Sequence, residues 1–218
     1  MPRRLNLPDS ASVATPDSAG KLFAPSAARN VTPLIDALAP LLPASGQVVE
    51  IASGTGQHIV AYAKAFPTLI WQPTEIDASR RASIQAYVDE TNLANLRPPQ
   101  ALDATAPGWS QDVSAPDVIL LANLLHLISS QEAEVLICEA GKALSPGGHL
   151  LMYGPFKRNG ELVSEGDQRF DADLRGQDPE IGYKSDVDLA DFAATRALLL
   201  AQTIEMPANN LLIQFTKS

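Results

Sequence analysis

The chain has 218 residues, a formal charge of −9, 45% hydrophobic side chains and one cysteine. That is enough for one substantial core, and the acid excess excludes an unaided grip on a nucleic-acid backbone, which demands basic patches. Cys138 alone cannot make an intramolecular disulfide. With no apolar run of membrane-spanning length and no apolar region after Arg3-Arg4, a cytoplasmic protein is expected.

Residues 1–22 are rich in Pro, Ser, Ala and Asp and lack apolar periodicity, which predicts a mobile arm ahead of a single domain over 23–218. The stretch 23–30, FAPSAARN, leads into VTPLIDALAPLL. There Leu34, Ile35, Leu38, Leu41 and Leu42 give a helix one apolar face, and Pro40 should end or kink it.

The most informative stretch is Val48 to His58, VVEIASGTGQH. Val48, Val49 and Ile51 make a short buried strand, over about 47–51. Ala52, Ser53, Gly54 and Gly56 make a small-residue turn. Ile59, Val60, Ala63 and Phe66 recur at helical spacing over about 56–66. Glycines in such a turn accept positive φ and let a ligand lie against backbone, with the next helix aiming free N–H groups at it. A second strand over about 69–76 ends in acids, and Glu75 falls where a ribose diol is held in parallel-sheet folds. A nucleoside-containing cofactor across the carboxyl ends of the strands is therefore expected.

The dinucleotide fingerprint needs a third glycine, which would fall on Ile59. The pattern Glu50-x-Ala52-x-Gly54-x-Gly56 instead looks like the E/D-x-G-x-G-x-G turn of class I S-adenosylmethionine (SAM)-dependent methyltransferases, with Ala52 in place of the first glycine. A structural strand–helix turn in another α/β protein is the plainer alternative.

Further along, a helix is predicted over about 78–91. A third strand over 96–102 is interrupted by Pro98 and Pro99, which suits an edge. Asp103 and Ala104 at its tip would meet adenine through a carboxylate and a backbone N–H; equally, Asp103 could cap the next turn. Strand four, Asp117 to Ala122, is continuously aliphatic and so central, which puts Asn123 to His126 at its carboxyl end. Ser129 and Glu132 form a capping box for a helix over about 130–144, and strand five follows at His149 to Tyr153. Residues 154–185 show no sustained periodicity and predict an irregular lid or substrate loop. A helix within 184–200, with Leu189, Phe192, Ala193, Ala197 and Leu200 as its apolar face, precedes two closing strands joined at 207–210.

Four stretches taken together, FAPSAARN, VVEIASGTGQH with WQPTEID, LLMYGPF and MPANNLLIQF, resemble a family of stand-alone class I methyltransferases found in bacteria and animals, known as a domain of unknown function and as methyltransferase-like in vertebrates. The resemblance covers residues 23–216. It departs at Glu75, where the family has Asp, and at 164–175, where the family has Ser-Asn before the Phe-Asp pair. It implies a Rossmann-like three-layer α/β sandwich, with a mostly parallel seven-stranded sheet and an antiparallel C-terminal strand, and it implies SAM binding. It supplies no substrate.

Methyl transfer needs alignment and a dry pocket, and needs a base only when the acceptor must lose a proton. His126 is the candidate catalytic base, with a structural histidine the equal alternative. Phe23, His58, His126 and Tyr153 are the candidate lining of the acceptor pocket. Asn123 is placed to accept from the cofactor's methionine amine, and Arg29 to pair with its carboxylate, while on spacing alone a surface charge at Arg29 and a hydrophobic staple at Phe23 are the favoured alternatives. Asp171, Asp173 and Asp178 lack a supporting ligand set, so no metal is expected. The expected activity is SAM-dependent methylation of a small-molecule acceptor, without nucleic acid or membrane as partner. A non-catalytic SAM-binding or interaction protein of the same fold, and an NAD(P)-dependent oxidoreductase, are the alternatives.

Overall fold

The computed structural model describes residues 14–17 and 20–218. Most of the arm expected over 1–22 lies outside the described residues. Its described part holds a short antiparallel ribbon of β1 (Thr15–Pro16) and β2 (Leu22–Phe23) rather than a free tail. That ribbon is tied down by Leu22 N–H donating to Ser83 Oγ at 2.7 Å and by Lys21 Nζ on Glu90 at 2.6 Å.

Helix α1 (Pro25–Leu38) begins at Pro25, whose fixed φ suits a first helical position, so FAPSAARN supplies the opening turns of the helix instead of preceding it. Next come β3 (Gly46–Ile51), α2 (Gln57–Ala65), β4 (Leu69–Pro73), α3 (Ala78–Thr91), β5 (Val118–Ala122) and α4 (Ser130–Ala143). The chain closes with β6 (His149–Lys157), α5 (Glu165–Gln177), β7 (Lys184–Ser185), α6 (Asp186–Ala194), β8 (Leu198–Met206) and β9 (Asn210–Lys217). The sheet runs β4-β3-β5-β6-β9-β8, with β7 alongside the end of β6. Pairings among β4, β3, β5, β6 and β7 are parallel, and β9 lies antiparallel between β6 and β8.

Both faces of the sheet are covered, which is why its strands read as unbroken apolar runs. Val49, Ile51, Ile119, Leu121 and Met152 pack under α4 and α6. Their neighbours Val48, Leu120, Leu151 and Tyr153 pack under α1, α2 and α3, against Leu34, Leu38, Ile59 and Tyr62. This is the expected three-layer α/β architecture.

Three expectations need correction. The strand over 96–102 is reduced to isolated bridges, Leu96 with Trp71 and Gln100 with Thr74, because Pro98 and Pro99 have no N–H to continue the ladder. Arg97 and Gln100 still donate to Trp71 and Pro73 carbonyls of β4. The segment 154–185 is mostly regular: β6 runs on to Lys157, and α5 starts at a capping box in which Ser164 and Asp167 satisfy each other's backbone N–H groups. The late helix stops at Ala194; Leu198 and Leu200 belong to β8, beyond Ala197 at φ 59.

Candidate active site

The carboxyl ends of β3, β4, β5 and β6 meet on one edge of the sheet. At β3 the chain leaves the strand through Ala52 at φ 53, Gly54 at φ 60 and Gly56 at φ 94. Ala52 thus adopts the left-handed conformation of the glycine it replaces, at roughly 1–2 kcal/mol of strain. The two glycines serve different ends. A Cβ on Gly56 would sit 3.0 Å from Ile84 Cα and 3.2 Å from Tyr87, so this glycine lets α2 and α3 pack. A Cβ on Gly54 would meet nothing closer than Arg80 Nη1 at 3.7 Å, so this glycine faces the open side of the turn.

Glu75, just past β4, is buried and fixed. Gly54 N–H donates to Oε2 at 3.0 Å and Asp77 N–H to Oε1 at 3.1 Å. Asp77 itself caps α3 by accepting from Arg80 N–H at 2.9 Å. Glu50, at the end of β3, is 2% exposed and its Oε2 has no hydrogen-bond partner. Burial, with Glu75 nearby, pushes its carboxyl up to about 7. Ser53 is buried in the turn, held by its N–H on Thr74 O at 2.9 Å. Asp103 accepts from Thr105 N–H at 2.9 Å and Thr105 Oγ1 at 2.6 Å, so the turn-capping role is the one its Oδ1 fills. Ala104 beside it is buried.

Beyond β5 and β6 a cavity of about 460 Å³ opens between α1, α5 and the β8–β9 turn. Of the expected site residues it gathers Arg29, Asn123 and His126. Asn123 sits at φ 57, a conformation asparagine tolerates, at the sharp exit from β5. Arg29, on the exposed face of α1, has no hydrogen bond or ion pair among the described residues. Its charge faces a cavity whose lining holds no carboxylate.

His126 lies in a 3-10 turn, 4% exposed, with Nδ1 unpartnered. Burial, helped by the nearby Lys184 ammonium, lowers it to about 3, so the imidazole is neutral over the working range. Lys184 Nζ is spent on the carbonyls of Ile128 at 2.6 Å and Gly182 at 2.8 Å.

The other expected pocket residues do not line this cavity. Phe23 is 45% exposed on the ribbon. His58 is buried between α1 and the sheet, stacked on Tyr62 at 5.7 Å, with Nε2 unpartnered; burial lowers it to about 4. Tyr153 is buried beneath the cavity, pushed up to about 12 by burial, and bonds the side chain of Asn210, which does reach the cavity.

Sequence reasoning missed Asn30, Phe170, Tyr183 and Asn210 in the lining. Asn30 and Asn210 stand within stretches that carry the family resemblance, so a signal was present. Phe170 and Tyr183 fell in the segment read as irregular, where the Ser164–Asp167 box was the overlooked mark of a helix. That helix is anchored by carboxylates. Asp167 accepts from Tyr183 Oη at 3.2 Å and from Asn209 Nδ2 at 3.0 Å, and Asp171 accepts from Tyr183 N–H at 2.7 Å and Arg175 Nε at 2.8 Å. Asp171 is therefore structural. Among the described residues no cluster of His, Cys, Asp or Glu is arranged to hold a metal, and no helix is long and apolar enough to cross a membrane.

A family model described as protein of unknown function (DUF938) matches residues 21–217. Among solved structures, the chain is similar to an O-methyltransferase family protein from Burkholderia thailandensis, at 16% identity and TM-score 0.74, covering 88% of this chain and 57% of that one. It is similar to an O-methyltransferase family 2 protein from Planctomyces limnophilus, solved with apigenin, at 20% identity and TM-score 0.74, covering 88% and 60%. It is also similar to human N-acetylserotonin methyltransferase, solved with SAM, at 13% identity and TM-score 0.71, covering 88% and 53%. The chain thus spans little more than half the length of these proteins, and the likeness shows the methyltransferase fold.

Proposed function

The chain belongs to the family described as protein of unknown function (DUF938), and from that premise and the site geometry we propose that it is a SAM-dependent methyltransferase acting on a small-molecule acceptor. The observation that carries this reading is the pair of buried carboxylates at the ends of β3 and β4, flanking an open glycine turn. Glu75 is fixed by two backbone N–H groups and keeps lone pairs for the two hydroxyls of a ribose. Glu50 carries an unpartnered buried oxygen that calls for a cationic donor, and the methionine ammonium of SAM is one. SAM therefore fits the residues present.

When bound, SAM supplies the electrophilic methyl carbon. The chain's residues do the holding. Gly54 and Ser53 give the backbone surface, and Gly56 keeps α2 and α3 close enough to support it. Glu75 takes the ribose, and Asp103 with Ala104 borders the adenine end. Glu50 and Asn123 take the ammonium, and Arg29 pairs with the carboxylate. His126 orients the acceptor without removing its proton, because an imidazole lowered to about 3 does not retain a proton near neutrality. Several of the structural neighbours are named as O-methyltransferases, which supports an oxygen or a similar heteroatom as the methyl acceptor.

Calorimetry with SAM tests the reading. The protein should bind SAM and S-adenosylhomocysteine but not NAD. Glu75→Ala should weaken SAM by about 1.5–3 kcal/mol for each charged hydrogen bond lost. A folded protein that ignores SAM, or a Glu75→Ala variant that binds it as well as the native chain, overturns the assignment.

A further inference from the structure

The acceptor side of the cavity has a chemistry of its own. One wall is aromatic: His126 and Phe170 stand 5.8 Å apart, Phe170 and Tyr183 6.1 Å, and His126 and Tyr183 6.4 Å, all tilted or edge-on. Rings set this way leave a face and an edge for a further planar ring. Asp167 and Asp171 do not line the cavity and are engaged with Tyr183, Asp167 through the hydroxyl and Asp171 through the backbone N–H. The lining itself holds one cation, Arg29, and no carboxylate, in a chain of net charge −9. Within the lining, the nine-tenths-buried His126 has a ring nitrogen, Nδ1, with no partner.

On the proposed reading, Arg29 balances the cofactor's carboxylate and Glu50 its ammonium. The sulfonium of a cofactor held that way would meet no carboxylate in the cavity lining. A neutral imidazole and the Asn123 amide can each donate to a negatively charged atom placed there. The lining holds no carboxylate to take a proton, and burial makes its one imidazole a weak base.

Resting on that reading, we propose that the cavity receives a planar aromatic acceptor that is already anionic at the atom to be methylated, an aromatic thiolate or carboxylate. Its lone pair forms the new bond to the methyl carbon. The carbon–sulfur bond breaks with its electrons left on sulfur, and no proton has to leave.

The test uses the whole protein saturated with SAM, titrated with benzoate, benzyl alcohol and cyclohexanecarboxylate and followed by ligand-observed nuclear magnetic resonance. Benzoate should bind at least about tenfold more tightly than either analogue, one of which lacks the charge and the other the ring. His126→Phe should remove the preference over benzyl alcohol while SAM affinity and melting temperature hold. In turnover, thiophenol should react at a rate flat from about pH 7 to 9, and phenol at a rate rising about tenfold per pH unit with its own ionisation. Equal binding of benzyl alcohol, binding of none of the probes, or a phenol rate that levels off at an enzyme pKa abolished by His126→Asn overturns the inference while SAM binding stands. Loss of SAM binding itself, read separately by calorimetry, removes the parent reading and this inference with it.

Discussion

The two halves of the site are built by different means. On the side proposed for the cofactor, a carboxylate holds backbone: Glu75 accepts the N–H groups of Gly54 and Asp77, all within one strand–turn–strand neighbourhood. On the side proposed for the acceptor, carboxylates hold side chains as well as backbone: Asp167 gathers the side chains of Ser164, Tyr183 and Asn209, and Asp171 accepts from Tyr183 N–H and Arg175. The first fixes the glycine turn against the ends of β3 and β4. The second sets the aromatic wall of the cavity with a few side chains that do not touch the turn. The halves also respond to protons in opposite directions, since burial raises Glu50 and lowers His126.

The sharpest way to break the comparison is at the two glycines. Gly56→Val drives a branched side chain into Ile84 and Tyr87 at positive φ, and should cost about 4 kcal/mol or more, enough to unfold the domain. Gly54→Ala should cost only about 1–2 kcal/mol of backbone strain and stay folded while losing SAM. Urea melts and calorimetry on the two variants separate packing from ligand approach. SAM binding by a folded Gly56→Val protein would contradict the packing role.

Proton linkage gives the next largest effect, at about 1.4 kcal/mol per pKa unit. Glu50 is raised from 4.5 to about 7, so its folded form prefers the proton. Stability falls as pH rises through that window, by roughly 3 kcal/mol, and stays low above it. Glu50→Gln should therefore gain stability over the native chain at pH 8 and match it near pH 4. His126 is lowered from 6.5 to about 3, so its contribution falls as pH drops below 6.5, by roughly 4–5 kcal/mol at the acid limit. His126→Phe should flatten the acid limb. Denaturation midpoints measured from pH 4 to 8 check both signs, and parallel curves for Glu50→Gln and the native chain would refute the first.

Asp167→Ala removes the partner of a helix cap, of a tyrosine and of an asparagine together. It should cost about 2–3 kcal/mol while leaving SAM affinity within about twofold. An equal loss of SAM affinity would mean that the two halves are coupled. The smallest effect is at Arg29, whose exposure screens its charge. Arg29→Ala should weaken SAM by about 1 kcal/mol, fading in high salt.

What could be read from the chain follows the same division. The turn Ala52 to Gly56, the acid at Glu75 and the Ser129–Glu132 capping box are local patterns, and the structure contains all three. The third strand was misjudged because Pro98 and Pro99 left only its ends paired. Helix α5 was hidden because few of its side chains are apolar; its buried face includes Asp167 and Asp171, which no hydrophobic pattern registers. Phe170 and Tyr183 could not be placed beside His126 from spacing, since the link is long-range: Gly182 N–H donates to the His126 carbonyl and the three rings meet from far apart in the chain. The difference between Gly54 and Gly56 also needed the neighbouring helix.

The position of β9 bears on how the molecule is made. The strand formed by residues 210–217 comes after every other strand of the sheet in chain order, yet it lies inside the sheet, paired on both sides. Until it arrives, β6 is an open edge and β8 has no neighbour in the sheet, so a nascent chain carries unpaired strands next to an assembled β4-β3-β5-β6 half. Closure is thus a late, long-range step in synthesis. A chain shortened before residue 210 would keep its glycine turn and lose the strand that joins β8 to the rest of the sheet.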